Sequence, residues 1–251
     1  MVSLAVAARR ATVTLDRPPV NAWDDDAVDA LERIIVDLDG RDDVDLVVVR
    51  SSGRHFSAGG DIKQMTAALD RDDFKSLNTF ATRIQSLFLA WSLLDLPTVA
   101  VLRGAVTGGG LEFALACDLR IAASDAQMGL PECKLGLLPA GGGTQLLTWA
   151  VGRGRAMRLM LTGELIDGAR AEAIGLVEWC VPEEDLDKTV EDVVALLASH
   201  ASPAQRAVKR CVSLAGTPWG FGAETMGQRR LHSDPYTRRR LKNFVSDERS
   251  T

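Results

Sequence analysis

Apolar positions recur along this chain with two different periods, and the alternation between them predicts its elements. From Asp24 to Leu38, Val28, Leu31, Ile34, Ile35 and Leu38 stand at helical spacing. Ala11 to Leu15 alternates with period two, predicting a strand that runs into Arg17-Pro18-Pro19 as a turn or edge. Leu46–Val49 and Thr98–Leu102 are short apolar runs suited to buried strands. The first leads through His55-Phe56-Ser57-Ala58-Gly59-Gly60-Asp61 into a helix. The second leads through Gly104 and Gly108-Gly109-Gly110 into the helix Leu111–Cys117. A charged helix is predicted over residues 74–94, ending before Pro97, and a further strand over Leu119–Ala122.

Beyond Gly129 the pattern changes. A Gly/Pro-punctuated loop runs through Pro131-Glu132 to Pro139-Ala140-Gly141-Gly142-Gly143. Helices are predicted at Thr144–Ala150, Ala156–Leu161, Ala169–Ile174 and Leu186–Leu197, with a short strand near Leu176–Val181. The last fifty residues read as helical, broken at Gly216-Thr217-Pro218. Strand, glycine-rich loop and helix thus follow one another twice, at 46–64 and 98–116, before a mostly helical third. That order predicts an α/β class with an added helical region, divided as a core over 1–195 and a helical region over 196–251.

Composition narrows the class without changing it. With 251 residues, 46% hydrophobic and 25% charged, the chain is ordinary for a soluble globular protein built on one large core. No apolar run approaches the ~18 residues of a membrane span, and residues 1–16 lack a secretory pattern, so a cytoplasmic location is expected. Cys117, Cys133, Cys180 and Cys211 lie far apart without ligand spacing, which argues for a reducing compartment and against zinc. They read as small apolar residues at 117 and 133, and Trp91, Trp149, Trp179 and Trp219 read as packing. The charge of −5 is uneven: residues 201–251 carry ten basic against four acidic side chains. That tail is either a solvated helix surface or a face for an anionic ligand, nucleic acid or a neighbouring subunit.

Candidate chemistry concentrates in three stretches. Three glycines before an apolar helix leave backbone N–H groups uncovered at its positive end, a setting for an anion or a developing oxyanion. Glu112, in the first turn among Leu111, Phe113, Ala114 and Leu115, is either buried or at a pocket edge. On this segment alone a capping glutamate explains it equally well. The loop 56–62 has the same layout and offers a second backbone donor, or simply a tight strand-to-helix turn. Glu132, held after Pro131, completes a candidate carboxylate pair for acid/base work. No phosphate loop, no GxGxxG after a strand and no GxSxG elbow occurs, and with only His55, His200 and His232 a histidine triad is unattractive. His55 reads as a polar edge residue.

In this order the motifs resemble the crotonase, or enoyl-CoA hydratase/isomerase, superfamily over nearly the whole chain. Arg17-Pro18-Pro19-Val20-Asn21-Ala22 is similar to its opening turn, Phe56–Ile62 to its first oxyanion loop and Val99–Asp118 to its central signature. Glu112 and Glu132 match its two catalytic glutamates in identity and spacing, and Leu137-Leu138-Pro139 with Gly142-Gly143-Thr144-Gln145 matches the loop that follows. The resemblance implies a spiral of ββα units with a C-terminal helical trimerisation region, assembled as a homotrimer or a hexamer. It implies reversible hydration of a 2-enoyl-CoA, with the thioester oxygen between the N–H groups of Gly60 and Gly109 and a water between the glutamates. Ala58 and Ile62 would line the adenine end of CoA, and Lys242 and Phe244 would approach the ligand from the tail. No metal or redox cofactor, nucleic acid or membrane is implied. Ala140, Leu146 and the run Arg238–Phe244 depart from the family's usual pattern. An isomerase, another acyl-CoA reaction on the same fold, and a non-catalytic CoA- or RNA-binding homologue are the alternatives.

Overall fold

A computed structural model describes residues 1–248. Eight strands and eleven α-helices are described: β1 (Val2–Ala7), β2 (Arg10–Leu15), α1 (Asp25–Leu38), β3 (Leu46–Ser51), α2 (Ile62–Leu69), α3 (Phe74–Ser92), β4 (Thr98–Leu102), β5 (Ala105–Thr107), α4 (Gly109–Ala116), β6 (Leu119–Ala123), β7 (Gln127–Gly129), α5 (Gly143–Val151), α6 (Arg153–Thr162), α7 (Gly168–Ala173), β8 (Trp179–Val181), α8 (Glu183–Ala198), α9 (Ser202–Val212), α10 (Trp219–Ser233) and α11 (Pro235–Glu248). A single 3-10 turn, Glu132–Leu135, interrupts the loop before α5.

The main sheet runs β1-β2-β3-β4-β6-β8, antiparallel between β1 and β2 and parallel thereafter. β5 and β7 form a separate parallel pair. Each of β4 and β6 belongs to the large sheet, and its successor, β5 or β7, turns into the small one. This alternation winds the chain into the α/β spiral that the family resemblance implies. Isolated bridges Trp23↔Gly60, Ser57↔Val106 and Met128↔Ile166 extend the second layer. It is this layer, not the large sheet, that carries the glycine-rich loops.

β3 and β4 are buried on both faces, which is why they read as continuous apolar runs rather than alternating ones. β2 alternates and buries Ala11, Val13 and Leu15. α1 opens on Asp24, whose carboxylate accepts from Ala27 N–H at 2.9 Å, and buries Val28, Leu31, Ile34 and Leu38 against the core. Burial of each such side chain favours folding by roughly 1.5–3 kcal/mol.

Three of the ten basic side chains of the C-terminal region clamp it to the core. Arg206 donates to the carbonyls of Arg41 (3.2 Å) and Val44 (2.6 Å), and Lys209 to Leu96 O (2.9 Å), while Arg210 pairs with Asp95 at 3.3 Å. The break at 216–218 falls between α9 and α10 as expected, but Pro235 starts a third helix that apolar spacing did not separate.

Several expectations are corrected. β1 and the three-residue strands β5 and β7 went unrecognised: three residues are too few for a period, and β1 is an edge strand with Val2 as its one buried residue. Trp149 and Trp219 do not pack in the chain's core but stand 77% and 75% exposed, and Cys133 is exposed where a small apolar core residue was expected. Trp91 and Cys117 are buried as expected, with Trp91 Nε1 donating to Cys117 Sγ at 3.3 Å.

Candidate active site

The turn at residues 17–23 is the frame on which the first loop is hung. Asn21, with φ of 51°, turns its side chain inward. Its Oδ1 accepts from Arg17 N–H at 2.6 Å, and its Nδ2 donates to the carbonyls of His55 (2.9 Å) and Phe56 (3.0 Å). Ser57 Oγ donates to Asn21 O at 2.7 Å, and Ala58 N–H to Val20 O at 2.9 Å. Arg17 joins Asp24 and Asp61, both at 2.8 Å. Burial opposes ionisation of Asp61, but Arg17 and the Lys63 and Gln64 N–H groups outweigh it and hold the carboxyl below its usual range. His55 is a polar edge residue, its Nδ1 accepting from Ala105 N–H at 2.9 Å.

Gly60 sits in a parallel bridge opposite Trp23. Trp23 N–H donates to Gly59 O at 2.8 Å, and Asp61 N–H donates to Trp23 O at 2.9 Å. In such a bridge the intervening residue directs its own N–H away from its partner. Gly60 N–H is thereby turned outward from Trp23. On the other side, α4 starts at Gly109 with no side-chain cap, so its first N–H groups face outward with the positive end of the helix dipole. The two loops touch: a Cβ built on Gly59 would lie 3.1 Å from Gly109 N. Gly110 is sterically obligatory, because a Cβ there would come within 2.1 Å of Ser57 O. That contact docks the start of α4 onto the first loop and brings Gly60 and Gly109 into one region.

Glu112 follows one turn into α4 and is only 3% exposed. Its Oε1 accepts from Gly143 N–H at 2.8 Å, so the Pro139–Gly143 loop closes over it. Gly141 fits there because a Cβ would lie 2.7 Å from Glu112 Oε2 and 3.0 Å from Phe88 Cδ2. Phe88 and Phe113 stack at 5.3 Å and, with Trp23 edge-on to both, form an apolar wall beside the carboxyl. Burial pushes Glu112 up to about 7, opposed by the Gly143 and Gly141 N–H groups and reinforced by the charge of Glu132. Glu132 opens the 3-10 turn after Pro131. Burial raises its pKa also, and its Oε2 is buried without a partner. Its Oε1 would lie 3.3 Å from a Cβ on Gly108, which sets it at the mouth of α4.

The structure therefore brings together Glu112, Glu132, Gly60 and Gly109. Ala58 and Ile62 flank the same loop, with Ala58 half-buried and Ile62 exposed at the first position of α2. Lys242 and Phe244 are exposed on α11, whose main packing is against α10. Among the described residues, no cluster of three metal-ligating side chains is present and no helix is long and apolar enough to cross a membrane. Sequence reasoning missed Trp23 and Phe88. Trp23 follows Asn21-Ala22 directly, so the turn motif itself was the signal, whereas Phe88 lies in an ordinary apolar stripe.

What this arrangement can do is hold an anion-like oxygen against two backbone donors, beside two carboxyls that share charge. A family model described as Enoyl-CoA hydratase/isomerase matches residues 7–240. The probable enoyl-CoA hydratase echA8 of Mycobacterium bovis is 36% identical over 207 residues, covering 81% of this chain and 77% of its own. Among solved structures, DspI of Pseudomonas aeruginosa superposes with a TM-score of 0.89 at 34% identity, over 98% of this chain and 94% of that one. An enoyl-CoA hydratase from Bacillus anthracis superposes with a TM-score of 0.92 at 27% identity, over 98% and 96%.

Proposed function

The chain belongs to the enoyl-CoA hydratase/isomerase family, and from that membership we propose that it adds water reversibly to a 2-enoyl-CoA, giving the 3-hydroxyacyl-CoA. The observation that carries the reading is the pair of carboxyls at the uncapped start of α4, Glu112 buried and Glu132 half-buried with its Oε2 enclosed.

A carbon–carbon double bond is a poor electrophile until charge can move onto the conjugated thioester oxygen. The N–H groups of Gly60 and Gly109 donate to that oxygen in the proposed site and stabilise its charge, and one such donor is typically worth ~3 kcal/mol of barrier. Glu112 and Glu132 hold the water between them. Glu112 takes a proton from it as its oxygen attacks C3, and Glu132 delivers a proton to C2. The pair needs one proton between its two carboxyls to do both tasks. Burial supports that condition, because it disfavours double ionisation. Retention of both glutamates favours hydration over double-bond isomerisation, which needs only one base and no attacking water.

Ala58 and Ile62 would border the adenine end of CoA. Lys242 would reach the ligand's phosphates, and Phe244 would lie near the ligand, in an assembly of several copies, a homotrimer or hexamer. Exposed Trp219, Phe221 and Met226 on α10 and Val208 and Val212 on α9 are in keeping with such an assembly.

The test is the loss of conjugated-thioester absorbance from crotonyl-CoA with wild type, Glu112→Gln and Glu132→Gln. Hydration by wild type that collapses in each variant supports the proposal. Full turnover in either variant overturns the roles assigned here. No hydration by wild type, with turnover of a 3-enoyl-CoA instead, makes the enzyme an isomerase.

A further inference from the structure

His55 serves two partners at once, one through its main chain and one through its ring. The first loop and β5 run side by side: Phe56 N–H donates to Arg103 O (2.9 Å), Ser57 N–H to Ala105 O (3.1 Å) and Thr107 N–H to Ser57 O (3.0 Å). Between the first two of these bonds the loop advances one residue and the facing segment two. The main-chain acceptor in line for Ala105 N–H is therefore the carbonyl of His55 or of Phe56. Both carbonyls are turned to Asn21 instead, whose Nδ2 donates to them at 2.9 and 3.0 Å. The imidazole stands in for them, and its Nδ1 accepts from Ala105 N–H at 2.9 Å. Gly104 leaves the room for this. Its φ is 54°, and a Cβ there would lie 2.3 Å from Arg54 O and 2.6 Å from His55 Nδ1. Because the backbone group is the donor, Nδ1 carries no proton, and the neutral ring holds its hydrogen on Nε2.

β5 joins three parts of the site. Ser57, beside it, leads to Gly60, and Gly109 stands two residues past its end. On its other side it pairs with β7, and Gly108 N–H donates to Gly129 O at 3.0 Å, three residues before Glu132. We propose that His55 is a positioning residue: its Nδ1 bond to Ala105 fixes β5 against the first loop and so sets the spacing of the Gly60 and Gly109 N–H groups that share the thioester oxygen. This rests on the acyl-CoA reading above. Two donors stabilise an oxygen most when it is most charged, so a change in their spacing is felt in turnover more than in binding. The task requires an acceptor atom bonded to Cγ. Asparagine supplies one in its Oδ1, and leucine does not.

The experiment measures kcat and KM for crotonyl-CoA in wild type, His55→Leu and His55→Asn. It also reads the ring nitrogens of the wild type by 15N NMR, the three histidines being told apart with His200→Gln and His232→Gln. Leucine is expected to lower kcat roughly tenfold with little change in KM, and asparagine to keep it within about twofold. The His55 ring is expected as the Nε2–H tautomer, with a scalar coupling between its Nδ1 and the Ala105 amide nitrogen. Should His55→Leu fail to fold, His55→Gln, whose acceptor lies one bond farther out, takes its place with the same expected loss. Undiminished kcat in that variant, asparagine no faster than leucine, or a proton on Nδ1 overturns the proposal and leaves the acyl-CoA reading intact. If the wild type turns over a 3-enoyl-CoA rather than crotonyl-CoA, the same proteins are compared on it, with the same expectations. Turnover of neither overturns both the proposal and the acyl-CoA reading.

Discussion

Replacing Glu112 by glutamine removes a titrating group while keeping the shape that fills the space beside Gly141 and Gly143. The glutamine carbonyl can still accept from Gly143 N–H, the bond that Glu112 Oε1 makes at 2.8 Å. Glu112 is 3% exposed, and burial, with the Glu132 charge, pushes its pKa from 4.5 up to about 7. At 1.36 kcal/mol per pH unit, the gap between those values is worth about 3 kcal/mol of folding free energy. Its sign follows from which state holds the proton. Below the unfolded value both states are protonated. As pH rises from there, the unfolded chain ionises first and gains stability, so the folded protein loses ground until pH passes about 7. Glutamine does not titrate, and the variant escapes this loss. Urea unfolding of both proteins at one protein concentration, from about pH 4 to about pH 8, measures it. The stability difference between them is expected to shift toward glutamine by about 3 kcal/mol across that window. A difference that stays constant with pH, or one that moves toward the wild type, would refute the claim that this carboxyl is ionised only at a cost.

Three further outcomes follow from the same contacts. Gly110→Ala places a Cβ 2.1 Å from Ser57 O, so α4 must shift off the first loop; thermal unfolding should fall by several degrees and crotonyl-CoA turnover should be lost, and an unaltered melting curve would contradict the docking described. Asn21→Ala removes two donors to the His55 and Phe56 carbonyls and an acceptor for Arg17 N–H; a loss of about 2–3 kcal/mol in urea is expected, and one below about 0.5 kcal/mol would mean that the turn does not hold the loop. Of two cysteines expected to be alike, exposed Cys133 should react with a thiol reagent in the native protein, whereas Cys117, buried and with its thiol pushed up to about 12, should react only on unfolding; mass spectrometry of the labelled peptides distinguishes them.

Much of this architecture was legible locally. β3 and β4 are runs of apolar residues, and β-branched valines that are buried on both faces leave no other pattern to read. The glycine triplet announced an uncapped helix start because only glycine allows so close an approach of backbone to backbone. β5 and β7 were not legible. Three residues are too few for a period, and such strands exist only because neighbouring strands offer a ladder. The exposure of Trp149 and Trp219 was equally hidden, since an aromatic residue carries no mark of which surface will cover it.

By itself, then, the sequence determined the two strand–loop–helix units, the helical C-terminal third and the identity of the carboxylates twenty positions apart. These depend on short-range preferences: side-chain period, glycine's missing Cβ and proline's fixed φ. Only the tertiary structure decided that Glu112 is a buried acid rather than a helix cap, that Glu132 lies at the mouth of the same helix, and that Trp23 spans the two glycine loops. A carboxyl's pKa is set by which distant atoms exclude water from it. That exclusion is a property of the assembled core and is written in no single segment.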